Sequence, residues 1–393
     1  MTPAARAQAA IDLLDEVIGA ARDGGPAADT LIARYFKTRR YAGSKDRKAV
    51  RDLVYDAIRR AGERPESGRS ALLGLARDQP DLAACFDGSP HGPAPIADNE
   101  PVAEARPLPK WILPRLAPLI DRAEQAALLD RAPLDIRVNR LKATMDMARA
   151  AFPDAMPIEG LPDALRLPEG FPLDRSDAWD QGLVEVQDAG SQIIAAICEV
   201  QPGMTVIDLC AGAGGKTLAL AADMAGQGVL IAADTVRSRL QRLAPRAERA
   251  GAGFIQTLLL DPGREASALG NHEGKTDVVL VDAPCSGTGT WRRNPEARWR
   301  LTPDRLARLV QEQARILDIA APLVRDGGRL VYAVCALTDA EGRGQVDAFL
   351  ARHPGWRAMP QATPPGRLWG HGRLLSPRHD GTDGFFLAVL EKS

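Results

Sequence analysis

Two cysteines and an acid stand where apolar runs of this chain end. Val281-Asp282-Ala283-Pro284-Cys285-Ser286-Gly287-Thr288-Gly289-Thr290 reads as an apolar strand closing on a carboxylate, followed at once by a rigid Pro-Cys turn. Fifty residues later a second apolar strand, Arg329 to Val334, also runs into a cysteine, Cys335. In open α/β sheets the chemistry sits at the carboxyl ends of the strands. Two thiols and a carboxylate on that rim suit covalent attack by sulfur on an electron-poor ring.

A third strand end is glycine-rich. Val206 to Leu209 leads into Cys210-Ala211-Gly212-Ala213-Gly214-Gly215-Lys216-Thr217 and then a helix, so backbone amides can approach a ligand at the helix start. A Walker A loop needs a glycine where Cys210 stands, and that match fails. The dinucleotide fingerprint begins at Gly212 and Gly214 but ends on Thr217, so it is incomplete. What remains is a nucleotide-like site. Asp234, ending the next strand, is placed to hold ribose hydroxyls, and Asp261, ending the one after, could reach an adenine edge. For each acid alone an ordinary strand-end cap is the lesser reading, and their joint occurrence on successive strand ends lowers it further.

The elements that must position these residues emerge from periodicity. From about Gly182 onward strands and helices alternate, which predicts an α/β fold with a mostly parallel, doubly wound sheet. Its strands are expected at 205–209, 228–233, 253–260, 277–281 and 328–334, with 373–376 and 384–390 as an antiparallel edge hairpin. Upstream, residues 2–61 read as amphipathic helices. From Arg34 to Arg60 there are ten basic residues against three acids, interleaved with Tyr35, Phe36 and Tyr41, a pattern of RNA-binding surfaces and equally of a solvated helix face. Asp78 to Ala105 holds no Lys or Arg and reads as an acidic Pro/Gly-rich loop in which Leu82 to Phe86 can pack locally. Helical periodicity returns over Leu108–Leu129, and a small α+β module comes after it. The expected domains are therefore 1–130, 131–180 and 181–393.

Bulk properties narrow the classes. A chain of 393 residues with 45% apolar content can bury more than one core. The formal net charge of −1 excludes a global field for nucleic acid, so any such binding must be local. Five cysteines without a CxxC pair argue against a disulfide framework or a zinc site. Asp12, Asp15 and Glu16 interrupt what would be a signal peptide's apolar stretch, and no run of about 18 apolar residues offers a membrane span. A cytoplasmic monomer without membrane contact is expected.

Together, Asp208 to Thr217, Asp282 to Thr290 and Cys335 after Tyr332 resemble the Sun/RsmB family of S-adenosylmethionine-dependent RNA cytosine-5 methyltransferases. The resemblance continues through Trp291 to Glu296, Gln187 to Gln192 and Asp380 to Phe386. Asp46-Arg47 with Leu53-Val54-Tyr55 resembles the NusB-like RNA-binding domain of the bacterial rRNA branch, and Leu108 to Trp111 with Arg137 to Arg140 resembles its connecting module. The resemblance implies a Rossmann-like class I methyltransferase core behind an all-α NusB-like domain and a small connector.

That family's chemistry accounts for the residue types. Carbon 5 of cytosine is a poor nucleophile, and a thiolate adding to carbon 6 places electron density on it. DNA cytosine-5 methyltransferases use the Pro-Cys thiol, which nominates Cys285; the RNA family uses the later one, which nominates Cys335, with Cys285 assisting release. Asp282 is implied at cytosine N3, and Lys216 at the target or the cofactor carboxylate. Cofactor contacts are implied for Cys210, Ala211, Gly212, Ala213, Gly214, Gly215, Lys216, Asp234, Arg239, Asp261 and Asp282, with Cys210 packing near the cofactor. Cys85 and Cys198 are expected to be inert. Val334 and Ala336 flank Cys335 where the family usually has Thr and Ser. Arg292, Arg293, Arg298 and Arg300 could track an RNA backbone or form an exposed helix face. The implied partner is RNA, small-subunit rRNA first; alternatives are tRNA, another rRNA site, or a non-catalytic RNA-binding assembly factor.

Overall fold

The computed structural model describes residues 1–360 and 365–393. The chain divides into two compact units, Met1–Arg131 with Thr290–Arg305, and Ala132–Gly289 with Leu306–Ser393.

The first unit is helical. Thr2 opens helix α1 (Pro3–Asp23) by accepting the Ala5 amide at 3.1 Å, and Gly24 closes it in the left-handed conformation. Helices α2 (Ala28–Thr38), α3 (Ser44–Arg60) and α4 (Gly68–Ala76) come next. Their apolar faces meet in a core that includes Leu13, Leu14, Val17, Val50, Val54, Ile58 and Leu72. The acidic stretch 78–105 is irregular apart from one short helix, Pro80–Ala83, but fastened: Arg69 pairs with Glu100 at 2.8 Å, the Ala103 amide donates to the Ser70 carbonyl at 3.0 Å, and Leu82 and Phe86 are buried. Over 108–129 the expected helix is broken into a 3-10 turn, Lys110–Arg115, and a short helix, Arg122–Ala127. Pro114 and Pro118 carry no amide to donate and prevent a continuous helix.

Thr290–Arg305, expected with the large sheet, instead belongs to the helical unit. Trp299 is buried in its core and donates Nε1–H to the Ala61 carbonyl at 2.8 Å. The Arg298 guanidinium, 1% exposed, donates to the carbonyls of Ile58, Arg59 and Ala61 at the end of α3. A cation there satisfies carbonyls the helix cannot pair and complements its dipole. Glu296 accepts the Ala28 amide at 3.1 Å at the start of α2, and Arg300 donates to the carbonyls of Gly25 and Pro26. These bonds overturn the expectation that Arg298 and Arg300 track an RNA backbone; Arg292 is also buried, 5% exposed.

The second unit holds two sheets. Strands β1 (Leu134–Val138), β2 (Met156–Pro157), β3 (Ala164–Leu167) and β4 (Val184–Val186) form a small antiparallel sheet in the order β2-β3-β1-β4. The segment 131–180 thus contributes most of a sheet of its own, yet shares one compact unit with the large sheet. The large sheet comprises β5 (Thr205–Asp208), β6 (Val229–Asp234), β7 (Gln256–Leu259), β8 (Thr276–Asp282), β9 (Val324–Val334), β10 (Trp356–Ala358), β11 (Arg367–Trp369), β12 (Gly372–Leu375) and β13 (Phe385–Lys392). Its order is β11-β12-β13-β9-β8-β5-β6-β7, with β10 also on β13.

From β9 to β7 the pairing is parallel, and β10 to β13 add antiparallel strands. Val279-Leu280-Val281 and Leu330 to Val334 are buried on both faces, as strands covered on both sides must be. Strand β13, expected at the edge, is interior: β9 takes one side and β12 with β10 the other. The strand order reverses between β5 and its neighbours β6 and β8, and such switch points open a crevice at the carboxyl ends. No helix among the described residues is long and apolar enough to cross a membrane.

Candidate active site

At the β5–β8 switch point the sequence motifs converge. Asp208 ends β5, Asp234 ends β6, Asp282 ends β8 and Cys335 directly succeeds β9. The Ala283 amide donates to the Ala333 carbonyl at 2.9 Å and the Gly289 amide to the Cys335 carbonyl at 3.0 Å, which ties the Pro-Cys loop to the end of β9. The approach is close: a Cβ at Gly289 would run into the carbonyl of Gly384, so only glycine fits. Held this way, the sulfurs of Cys285 and Cys335 lie 3.2 Å apart. Both are free thiols. The hydrogen bond with Cys335 and burial together push the Cys285 thiol well above its ordinary range.

Beside the thiols, Lys216 Nζ donates to Asp282 Oδ2 at 2.6 Å and lies 5.6 Å from the centre of the Phe385 ring. Burial works against the ammonium, but Asp282, Cys335 and Asp208 outweigh it and hold the Lys216 pKa above its usual value. The cation thus stays charged in a largely enclosed place, its side chain 11% exposed.

The glycine-rich turn runs from Leu209 to the helix Gly215–Asp223, with Gly212 and Gly214 at φ 58° and 82°. Such angles are strained for any side chain. The Gly212 amide donates to Asp234 Oδ2 at 2.9 Å and the Val236 amide to Oδ1 at 2.7 Å, which fixes the Asp234 carboxylate while leaving lone pairs for hydroxyls. Gln187 donates to the Gly215 carbonyl at 3.2 Å and accepts from the buried Arg137 at 2.7 Å, joining the small sheet to the turn.

These residues fit a nucleoside ligand. A Cβ at Gly212 or Gly215 would meet no protein atom, so the cradle is open. Asp208 Oδ1 is buried without a partner, while Oδ2 accepts the Thr217 hydroxyl at 2.6 Å. Burial raises the Asp208 pKa to about 7 and pushes the Cys210 thiol up. Asp261 and Arg239 are exposed and have no side-chain bond to this group among the described residues. Cys198 is fully buried, and its thiol is likewise pushed up by burial.

Sequence reasoning passed over Glu341, Gln313 and Thr288. Thr288 accepts the Leu337 amide at 2.8 Å, and Gln313 donates to the Pro284 carbonyl at 2.9 Å. Glu341 is fully buried and accepts both the amide and the hydroxyl of Ser286, at 2.7 and 2.6 Å. Its signal was present as Thr338-Asp339-Ala340-Glu341, the Thr-x-x-Glu spacing of a capping box.

Residues 195–391 match the family described as 16S rRNA methyltransferase RsmB/F. The "Probable ribosomal RNA small subunit methyltransferase B" of Synechocystis sp. is 35% identical over 317 residues, 76% of this chain and 70% of that protein. The ribosomal RNA small subunit methyltransferase B of Salmonella newport is 35% identical over 291 residues, 72% of this chain; the chain spans 66% of that relative's length. In three dimensions the crystal structure of PH0851 has a TM-score of 0.78 at 24% identity and covers 100% of this chain and 99% of its own, which shows the fold. With the family match spanning half the chain and such identity extending over three quarters of it, this chain belongs to the RsmB/F family of 16S rRNA methyltransferases.

Proposed function

We propose that this chain methylates carbon 5 of a cytosine in small-subunit ribosomal RNA, with Cys335 as nucleophile and Cys285 as the thiol that assists release. The observation that carries the reading is the pair of sulfurs 3.2 Å apart on the rim that also bears the Lys216–Asp282 pair.

The residues suit each step. Cys335 Sγ gives up its proton to solvent and forms a bond to carbon 6 of the base, and the electrons of the 5,6 double bond move toward carbon 5 and N3. Asp282 with Lys216 offers a hydrogen-bonded, proton-bearing pair for the N3 side of the ring. When bound, S-adenosylmethionine supplies an electrophilic methyl group at the glycine-rich turn. Ala211 to Gly215 and Asp234 would hold it, Asp234 through the ribose hydroxyls. Solvent takes the carbon 5 proton, the electrons of that C–H bond restore the 5,6 double bond, and sulfur leaves carbon 6 as a thiolate. Cys285, kept as a thiol, is within reach to protonate that sulfur. The base must be unpaired or flipped out, because carbon 6 is closed to a thiol inside a stacked duplex.

RNA engagement is assigned to the corner between α2 and α3. Tyr35 and Phe36 are buried, whereas Tyr41 is 72% exposed. Near it in sequence, Lys37, Arg40 and Lys45 are exposed and form no ion pair among the described residues. An exposed ring among unpaired cations suits base stacking beside phosphate contacts.

The test is tritiated methyl transfer to unmodified small-subunit RNA. Cys335→Ala is expected to abolish incorporation with cofactor binding intact, and Cys285→Ala to accumulate a covalent RNA–protein adduct that survives denaturant. An adduct appearing with Cys335→Ala instead would exchange the two roles. No incorporation by the wild-type chain would favour the RNA-binding factor.

A further inference from the structure

Beside the thiol pair lies a buried carboxylate that this reaction does not use. Glu341 is 0% exposed, and no cation pairs with it among the described residues. It is held by neutral donors only. Oε1 accepts the Ser286 amide at 2.7 Å and Gln313 Nε2–H at 3.1 Å; Oε2 accepts the hydroxyls of Ser286 at 2.6 Å and Thr338 at 2.7 Å. Its carbonyl accepts the Tyr332 hydroxyl at 2.7 Å. Four donors converge on its two carboxylate oxygens, and removing the side chain would leave several buried polar groups unpaired.

The donors come from three stretches of chain. Ser286 is next to Cys285, Thr338 and Glu341 belong to the segment after Cys335, and Gln313 lies on the helix Pro303–Ala320. Gln313 also donates to the carbonyl of Pro284, so both neighbours of Cys285 are fastened to this one cluster. We infer that Glu341 is a positioning residue: by pinning Ser286 to the chain after Cys335, it sets the separation of the two sulfurs. The role in catalysis rests on the reaction proposed above; the role in spacing does not.

The spacing can be read without RNA. Phenylarsine oxide condenses with two adjacent thiols, forming two arsenic–sulfur bonds and releasing one water, and neither Cys285→Ala nor Cys335→Ala should capture it stably. In the full chain, capture by Glu341→Ala is expected to be about tenfold or more weaker than by wild type, the scale of one lost charge-assisted hydrogen bond. Glu341→Gln retains the reach, and the Ser286 and Thr338 hydroxyls can turn to accept from its amide; capture within about threefold of wild type is expected. Glu341→Asp keeps the charge but is one methylene short, and should capture less well than Glu341→Gln.

Wild-type capture by Glu341→Ala, or equal damage from Gln and Ala, would overturn the inference. If Glu341→Ala does not fold, the order of Asp and Gln decides: Asp at or above Gln overturns it. In the methylation assay Glu341→Ala should also retain covalent RNA, as Cys285→Ala does. If Cys285→Ala itself accumulates no adduct, the reaction scheme fails, and the arsenical result still judges Glu341.

Discussion

Asp208 is the group whose titration can be predicted with a sign. It ends β5 at 1% exposure, with Oδ2 bonded to Thr217 and Oδ1 unpartnered. Burial is the largest influence on it; Asp282 adds to the rise, Thr217 and Lys216 oppose it, and the pKa stands at about 7. Relative to an unfolded value of about 3.8, that is a rise of roughly 3 units, or about 4 kcal/mol at about 1.36 kcal/mol per unit. Below about pH 3.8 the carboxyl is protonated in both states and costs nothing. As pH climbs from about 4 to about 7 the unfolded chain ionises while the folded one keeps its proton, so stability falls. Above the folded pKa the cost stays near about 4 kcal/mol.

Asp208→Asn removes this titration. It keeps an oxygen for Thr217 but puts an amide where Oδ1 lies without a partner, which costs about 1–3 kcal/mol at every pH. The variant should therefore be the less stable protein near pH 4 and the more stable one at pH 8, by about 1–3 kcal/mol each way, with the curves crossing between about pH 4.5 and 6. Urea unfolding of both chains at half-unit steps from about pH 4 to 8 measures the difference, and groups common to both cancel. A difference that stays constant over this range would mean that Asp208 is ionised throughout, and the argument from its burial would be wrong.

Lys216→Met removes the partner of Asp282; kcat should fall by roughly 10–150-fold, matching a lost charge-assisted bond of about 1.5–3 kcal/mol, and an unchanged kcat would take the pair out of the reaction. Asp234→Ala should weaken S-adenosylmethionine binding by about 1–3 kcal/mol in calorimetry, and equal affinity would remove Asp234 from the ribose site. Tyr41→Ala should cost about 1–3 kcal/mol of binding to unpaired RNA, while Tyr41→Trp restores it; equal binding by all three would show that no base stacks there.

Much of the site was legible because its signals are local. A strand ending in an acid, a Pro-Cys turn and a glycine-rich loop are each written within ten residues, and strand ends of a parallel sheet share one rim whatever their separation in sequence. Asp234, Asp282, Cys285 and Cys335 are all placed by that rule. Glu341 was half legible: its Thr-x-x-Glu spacing is local, but its bonds to Ser286 cross 55 residues. The aromatics show the same division. Tyr35 and Phe36 lie on α2 and turn into a core built from α1 and α3, whereas Tyr41 lies in the turn after it. Charge interleaved with rings identifies a candidate surface, and only packing decides which ring reaches solvent.

Thr290–Arg305 shows where reading by motif gives out. Next to a Pro-Cys loop, four arginines in nine residues invite assignment to a nucleic-acid backbone, since the same guanidinium forks recognise phosphate and carbonyl oxygen. What decides between them is the supply of unpaired carbonyls nearby. The end of α3 supplies three, at Ile58, Arg59 and Ala61, and Arg298 meets them from a position more than two hundred residues away in sequence. Burial then makes the assignment firm. A guanidinium withdrawn from water and bonded to carbonyls has few donors left for phosphate, and burial lowers its pKa to about 9. Arginines that serve RNA must present the guanidinium to solvent, a condition that Arg40, exposed and next to Tyr41 in sequence, meets and the buried Arg298 does not.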